Sequence, residues 1–313
     1  MVGKASIRPE SKRIRVVVNC SHRKSRPVPD ELQLRSVRSE QPSTRVWAWT
    51  ERLMTSSEPS TSAIDLYAGE HWGIARNLAD LNNAGRTVEL WITSAGYGLI
   101  PASAQIRPYG ATFSPGHLDS VSDVKQWWNA LSEWRGPDKG PRTITDLVED
   151  DPNSRVLLTV SASYLYACRT DVIRAIGSSK SGRQLSIISA GTKEDAAYGS
   201  CLLPGDARLQ TALGGTRQAL NVRILEALLD QDIIGHEDMS RTLRRMLEDQ
   251  PAIPRFDRVS ATDAEVANFI RTRLESEPDA SYTGLLRDFR SNGRACEQKR
   301  FAALFRATKR QEP

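Results

Sequence analysis

Four short runs of β-branched and aliphatic residues punctuate the chain, and each ends on small polar residues. They are Ile14 to Val18, Val88 to Ile92, Arg155 to Val160 and Leu185 to Ser189. Near-continuous apolar runs of this length read as strands buried on both faces, which is the mark of a parallel sheet. Between them the apolar spacing turns helical: Thr44 to Met54, Asp65 to about Asn83, Val121 to Trp134, Thr143 to Val148, Leu165 to Ile176 and Gln218 to Leu229. The alternation predicts an α/β fold, a three-layer α/β/α sandwich around a mostly parallel four-stranded sheet. Right-handed crossovers would bring the strand-end loops to one edge, where open α/β sheets bind ligands. W-I-T-S-A-G-Y-G-L-I-P, from Trp91 to Pro101, shows the design most clearly: a strand, then a small-residue turn, then a long polar loop through Ile106, Pro108, Tyr109 and Phe113.

The pattern changes after Pro251. Ala261 to Ser276, Ser281 to Ser291 and Glu297 to Lys309 read as three short helices, the last two joined by a turn at Asn292 and Gly293. That outline is helix-turn-helix-like, and a small helical cap produces the same apolar spacing. The expected organisation is a basic flexible arm over 1–13, an α/β domain over 14–250 and a basic, DNA-contacting helical domain over 251–313.

Charge sharpens the picture through its distribution. The net charge is only +5, but Arg and Lys crowd both ends of the chain. Clustered positive charge fits a phosphate-backbone partner; a solvated basic surface is the alternative. Arg287, Arg294, Lys299 and Arg300 are the candidate backbone contacts. No apolar run approaches the ~20 residues that span a bilayer, and the first residues lack the apolar core of a secretory signal. Four scattered cysteines and four histidines form no metal-ligand spacing, so no metal or other cofactor and a reduced, cytoplasmic setting are expected.

Four stretches carry a resemblance: V-N-C-S-H-R-K (Val18 to Lys24), D-L-Y-A-G-E-H-W-G-I-A-R (Asp65 to Arg76), S-A-G-Y-G-L-I-P (Ser94 to Pro101) and Pro108-Tyr109. Their order resembles an uncharacterised bacterial family, over roughly residues 14–225, with departures at His22-Arg23 and at Trp72. That family is similar to the core of archaeosine synthases and to a peroxide-stress DNA-binding protein, and more distantly to the uracil-DNA glycosylase fold. The resemblance implies recognition or chemistry at a modified base or its N-glycosidic bond. Such domains also occur in antiviral loci, which implies a phage modification such as a glucosylated hydroxymethylcytosine.

Base excision needs a flipped nucleotide, stacking surface, phosphate anchors and a way to stabilise a cationic sugar. Asp65 is the candidate base or electrostatic stabiliser; as an N-cap it would serve the following helix instead. Asn19, at the end of the first strand, can orient a water or make a local turn. Tyr67, Tyr97, Tyr109 and Tyr164 are candidate base contacts, while Phe113 reads as core. Ser21, His22 and Lys24 form a positive loop that suits phosphate. An exposed, charged Lys24 is the expected state, and only a buried, neutral one would be a Schiff-base candidate. Ser94, Gly98, Ser161 and Ser163 are candidate phosphate or backbone contacts. Asp206, Arg208, Thr216 and Arg217 surround Gly214-Gly215 and form either a second wall or a structural salt-bridge network. There, Thr216 at a helix start would offer free N–H groups to an anion.

The expected function is a DNA glycosylase-like enzyme that leaves abasic sites in double-stranded, base-modified DNA. A non-catalytic binder of modified or damaged DNA, and a small-nucleotide enzyme or sensor, are the alternatives.

Overall fold

A computed structural model describes residues 12–38, 41–81, 86–179, 184–192, 195–252 and 257–310. The expected basic arm lies, as far as residue 11, outside the described residues. Lys12 and Arg13 already belong to the first strand, where Arg13 pairs with Glu89 and Asp151.

The chain divides into two compact units after Pro251. In the first, the order is β1 (Lys12–Asn19), α1 (Pro42–Thr55), β2 (Thr61–Ser62), α2 (Ala63–Leu66), α3 (Glu70–Ala79), β3 (Arg86–Ser94), β4 (Gly98–Pro101) and β5 (Gln105–Ile106). Then come α4 (Val124–Glu133), α5 (Ile144–Asp150), β6 (Arg155–Thr159), α6 (Ala162–Ala167), α7 (Arg169–Ser178), β7 (Leu185–Ile188), α8 (Leu209–Leu213), α9 (Leu220–Asp230) and α10 (His236–Glu248).

The fold is α/β, with a five-stranded mixed sheet ordered β4-β3-β1-β6-β7. β1, β3, β6 and β7 run parallel, and β4 folds back antiparallel on β3, pairing Ile92 with Ile100 and Ser94 with Gly98. The sheet therefore has one strand more than the alternation pattern predicts. Gly98–Pro101 is only four residues long and follows a tight turn, so it reads as loop until its pairing is seen. β1 is the central strand, and Ile14, Val16, Val17 and Val18 are wholly buried. Arg15 is buried among them because its guanidinium donates to the Leu147 carbonyl and pairs with Glu89 and Asp150. A buried charge without such partners would cost several kcal/mol, of order ~3–5.

The chain moves from β1 to one side of it, through β3, and later to the other side, through β6. The strand order reverses at β1, so the crevice beyond its carboxyl end is a topological switch point. Several helices differ from expectation. The stretch from Asp65 is broken after Leu66 into α2 and α3, and the stretch from Leu165 to Ile176 is split at Cys168 into α6 and α7. Neither α8 nor α10 has a counterpart in the sequence reading.

The second unit holds β8 (Val259–Ser260), α11 (Asp263–Ser276), α12 (Tyr282–Ser291), β9 (Arg294–Ala295) and α13 (Gln298–Lys309). β8 and β9 pair in parallel, and Val266, Ile270, Leu285, Phe289 and Phe301 form a separate core. No helix among the described residues is long and apolar enough to cross a membrane.

Candidate functional site

Beyond β1 the chain enters the C-S-H-R-K motif, and backbone hydrogen bonds zip that motif onto the D-L-Y-A motif. Ser25 N–H donates to the Leu66 carbonyl, Ala68 N–H to the Arg23 carbonyl, and Lys24 faces Tyr67 in an antiparallel bridge. Ser21 Oγ adds a bond to the Ala68 carbonyl. The D-L-Y-A motif in turn touches the other two. Tyr67 OH lies 2.9 Å from Tyr109 OH, and Tyr109 OH lies 2.7 Å from Ser94 Oγ. Ser94 Oγ also accepts the N–H of Tyr97 at 3.0 Å, closing the turn after β3. The four motifs are thus one hydrogen-bonded cluster. Gly96 is part of its logic: a Cβ there would stand 2.5 Å from the Tyr109 ring. Gly98 holds a left-handed φ of +73° as the chain reverses into β4. Arg142 ties that reversal down by donating to the Tyr97 and Leu99 carbonyls, and burial lowers its pKa to about 10.

Lys24 occupies the centre of this cluster. Its Nζ donates to the Ser21 carbonyl at 2.6 Å and the His22 carbonyl at 3.3 Å. It also sits 4.5 Å from the Tyr109 ring centre and 5.0 Å from that of Tyr67. Among the described residues no carboxylate pairs with it. The residue as a whole keeps some exposure, but its ammonium is enclosed by rings and carbonyls. Rings and carbonyls favour a cation, by ~0.5–2 kcal/mol for each ring; loss of water opposes it more strongly, and the pKa falls to about 8. Burial raises the pKa of Tyr67 and Tyr109 instead, so both phenols stay protonated and can donate.

Lys24 and Tyr109 line a cleft of about 230 Å³ together with His22, Arg26, Arg35, His117 and Asp119. The His22 and His117 rings meet edge to face at 4.2 Å. Burial, then the neighbouring His117 and Lys24, lower the His22 pKa. Asp119 is buried and accepts the Arg35 N–H at 3.0 Å, with the Arg35 guanidinium 3.4 Å away. The cleft therefore gathers Lys24, Arg26 and Arg35 with Asp119, while Arg26 also pairs with Glu58 at 3.5 Å. Volume alone points elsewhere, to a groove of about 900 Å³ along α10. None of the motif residues lines that groove, so the convergence of chemistry selects the smaller cleft.

The remaining sequence candidates take other positions. Asn19 is spent on structure: its Oδ1 accepts the Ser161 N–H, its Nδ2 donates to the Cys20 carbonyl, and its carbonyl receives His71 Nε2 at 3.0 Å. A carbonyl can only accept, so His71 Nε2 carries the proton, and its buried Nδ1 has no partner among the described residues. Asp65 is largely exposed, bonded to Ser62 Oγ and 3.6 Å from Arg76, and it does not line the cleft. Tyr97 and Tyr164 are buried, engaged with the Arg107 backbone and with Cys20 Sγ respectively. Ser161 and Ser163 bond each other. Asp206 and Arg208 pair across a single residue.

The N–H of Thr216 is not free for a ligand, because it donates to Glu70, which also pairs with Arg223. The anion suited to that turn is a carboxylate of this chain. Arg217 is exposed beside it. In the second unit Arg294 and Arg300 are ion-paired with Glu265 and Asp263, whereas Arg287 lines a separate cleft with Arg258 and Arg290. Lys299 is exposed in the first turn of α13.

Arg35, His117 and Asp119 escaped the sequence reading. They sit in two long loops without periodicity, and loop length was the only signal they gave. Among the described residues no group of His, Cys, Asp and Glu could hold a metal ion. Comparison with protein-family models, with curated proteins and with solved structures finds no match.

Proposed function

We propose that the cleft around Lys24 receives one nucleotide of DNA and that the protein is a glycosylase-like enzyme that excises a modified base. The observation that carries this reading is the meeting of Lys24, Tyr67, Ser94 and Tyr109, from four separated motifs, at the switch point of the sheet. In this reading a sheet core of the uracil-DNA glycosylase kind supports the pocket, and the helix-turn-helix-like second unit grips backbone through Arg287 and Lys299. Asp119 supplies the carboxylate that stabilises the cationic sugar, the part first given to Asp65, because Asp119 is buried in the cleft. A fixed charge in a water-poor site stabilises developing positive charge without reorganisation. His22 and His117 offer the ring surface for the base, since Tyr97, Tyr109 and Tyr164 are buried. Arg26 and Arg35 hold phosphate; each guanidinium has five N–H donors, of which the chain uses only some.

The test is incubation of the full chain with unmodified and hypermodified phage DNA, followed by measurement of released base and alkali-labile sites. Release from modified DNA alone supports the reading; no release from any modified DNA removes it.

The small volume of the cleft favours a second reading, a sensor or enzyme for a free sugar phosphate, which is smaller than a whole nucleotide. Ligand pockets for larger molecules run to ~300–1,000 Å³. A nearly flat dependence of DNA binding on salt would support that alternative, because backbone binders lose affinity steeply as salt rises.

A further inference from the structure

We infer that Lys24 forms an imine with the aldehyde of a phosphate-bearing sugar whose phosphate is held by Arg26 and Arg35 in the same cleft. The inference rests on the proposed function in one respect: the ring-opened sugar left by base excision is an aldehyde flanked by phosphates. Its chemistry rests on Lys24 itself.

Three observations meet at this side chain. It has no carboxylate partner among the described residues, and such a partner would hold it protonated. Its nitrogen is enclosed by the Tyr67 and Tyr109 rings and the Ser21 and His22 carbonyls, which fix its position. It lies at the wall of a cleft whose other cations suit an anion. Desolvation then leaves a usable share of neutral amine near neutral pH, as an imine-forming lysine requires. Cys20, Tyr67, Tyr109 and His22 face it as thiol, phenols and imidazole. Arg26, Arg35, His117 and Asp119 line the same cleft, and the Asp119 carboxylate is paired with Arg35.

The step balances without any redox partner. The amine nitrogen bonds to the aldehyde carbon and loses both its hydrogens. The aldehyde oxygen leaves with them as water, and hydrolysis reverses the sequence.

The experiment uses the full chain with two probes, a DNA duplex carrying a preformed abasic site and free 2-deoxyribose 5-phosphate. Each is mixed with cyanoborohydride, which reduces an imine to a stable amine. Peptide mass mapping then locates the adduct in the unaltered protein, so the result does not depend on a variant that folds. The expected result is an adduct on Lys24, lost in Lys24→Arg, with a yield that climbs through a midpoint near pH 8. Trapping of abasic DNA assigns the aldehyde to nucleic acid; trapping of the free sugar phosphate alone assigns it to a small metabolite. No adduct with either probe, or adducts on exposed lysines such as Lys299 with Lys24 unlabelled, overturns the inference. The preformed abasic site separates this outcome from base excision. Trapping without base release leaves the imine standing and removes the glycosylase reading, and release without trapping does the reverse.

Discussion

Lys24 and the arginines of the second unit are all basic, but they differ in what answers their charge. Arg294 meets Glu265, Arg300 meets Asp263, and Arg273 meets Asp288, each within the same small unit. The Arg294 side chain, with help from Thr262, pulls the Glu265 pKa down to about 2. Among the described residues Lys24 meets carbonyls and aromatic rings. A basic stretch of sequence is therefore a poor measure of available charge. Among the described residues three arginines of the second unit are answered by carboxylates of that unit, whereas no carboxylate pairs with Lys24, whose enclosure lowers its pKa instead.

The scaffold that encloses Lys24 is where this comparison breaks most readily. All seven tryptophans precede Pro251, so tryptophan fluorescence during denaturant unfolding follows the first unit alone. Tyr109→Ala should cost that unit ~3–5 kcal/mol, because a wholly buried aromatic ring and its cavity are lost together. Tyr109→Phe should cost ~1–3 kcal/mol, because Ser94 Oγ and Tyr67 OH lose their shared partner. Gly96→Ala should cost a similar ~1–3 kcal/mol by forcing the Tyr109 ring away. Stability unchanged in all three would mean that the cluster does not hold the cleft.

Protonation sharpens the comparison next. The folded pKa of Lys24 is about 8 against an unfolded value near 10.5. Between those values the unfolded chain binds more protons than the folded one, so this lysine makes stability rise with pH. The expected outcome is a rise between about pH 8 and 10 in the unaltered protein relative to Lys24→Met. Glu265 shows the opposite case, a depressed carboxyl whose contribution is present above its unfolded pKa of 4.5 and is lost as pH falls through about 2. Coincident curves for the parent and Lys24→Met would show that the amine is not desolvated.

The smallest expected effect concerns the paired arginines. Glu265→Gln should free the charge of Arg294 and steepen the salt dependence of DNA binding by ~0.9 in log–log slope, whereas Arg287→Ala should flatten it by a similar ~0.9. Equal slopes for both variants and the parent would take the second unit out of backbone binding.

The parallel strands were legible because Val16, Val17 and Val18, or Leu157 and Leu158, form apolar runs that only a doubly covered sheet accommodates. β4 was not, since its identity lies in pairing with β3 rather than in its own four residues. Part of the site was legible too: Lys24, Tyr67, Ser94 and Tyr109 stand at strand ends or inside motifs. The same reasoning named Asp65 and Asn19, whose residue types suit catalysis but whose side chains serve Ser62, Arg76 and the Ser161 backbone. Asp119 could not be seen, because its burial and its bond to the Arg35 N–H arise only when two distant loops meet. A carboxylate's role is set by its surroundings, and surroundings are the long-range part of a fold.

The most direct test compares two carboxylates in one assay. Base release from hypermodified phage DNA should persist in Asp65→Asn and disappear in Asp119→Asn. Both proteins are assayed under conditions where tryptophan fluorescence shows the first unit folded, since loss of the buried Asp119 charge beside Arg35 lowers stability. Release lost in Asp65→Asn and retained in Asp119→Asn would contradict the assignment of the chemistry to the Lys24 cleft.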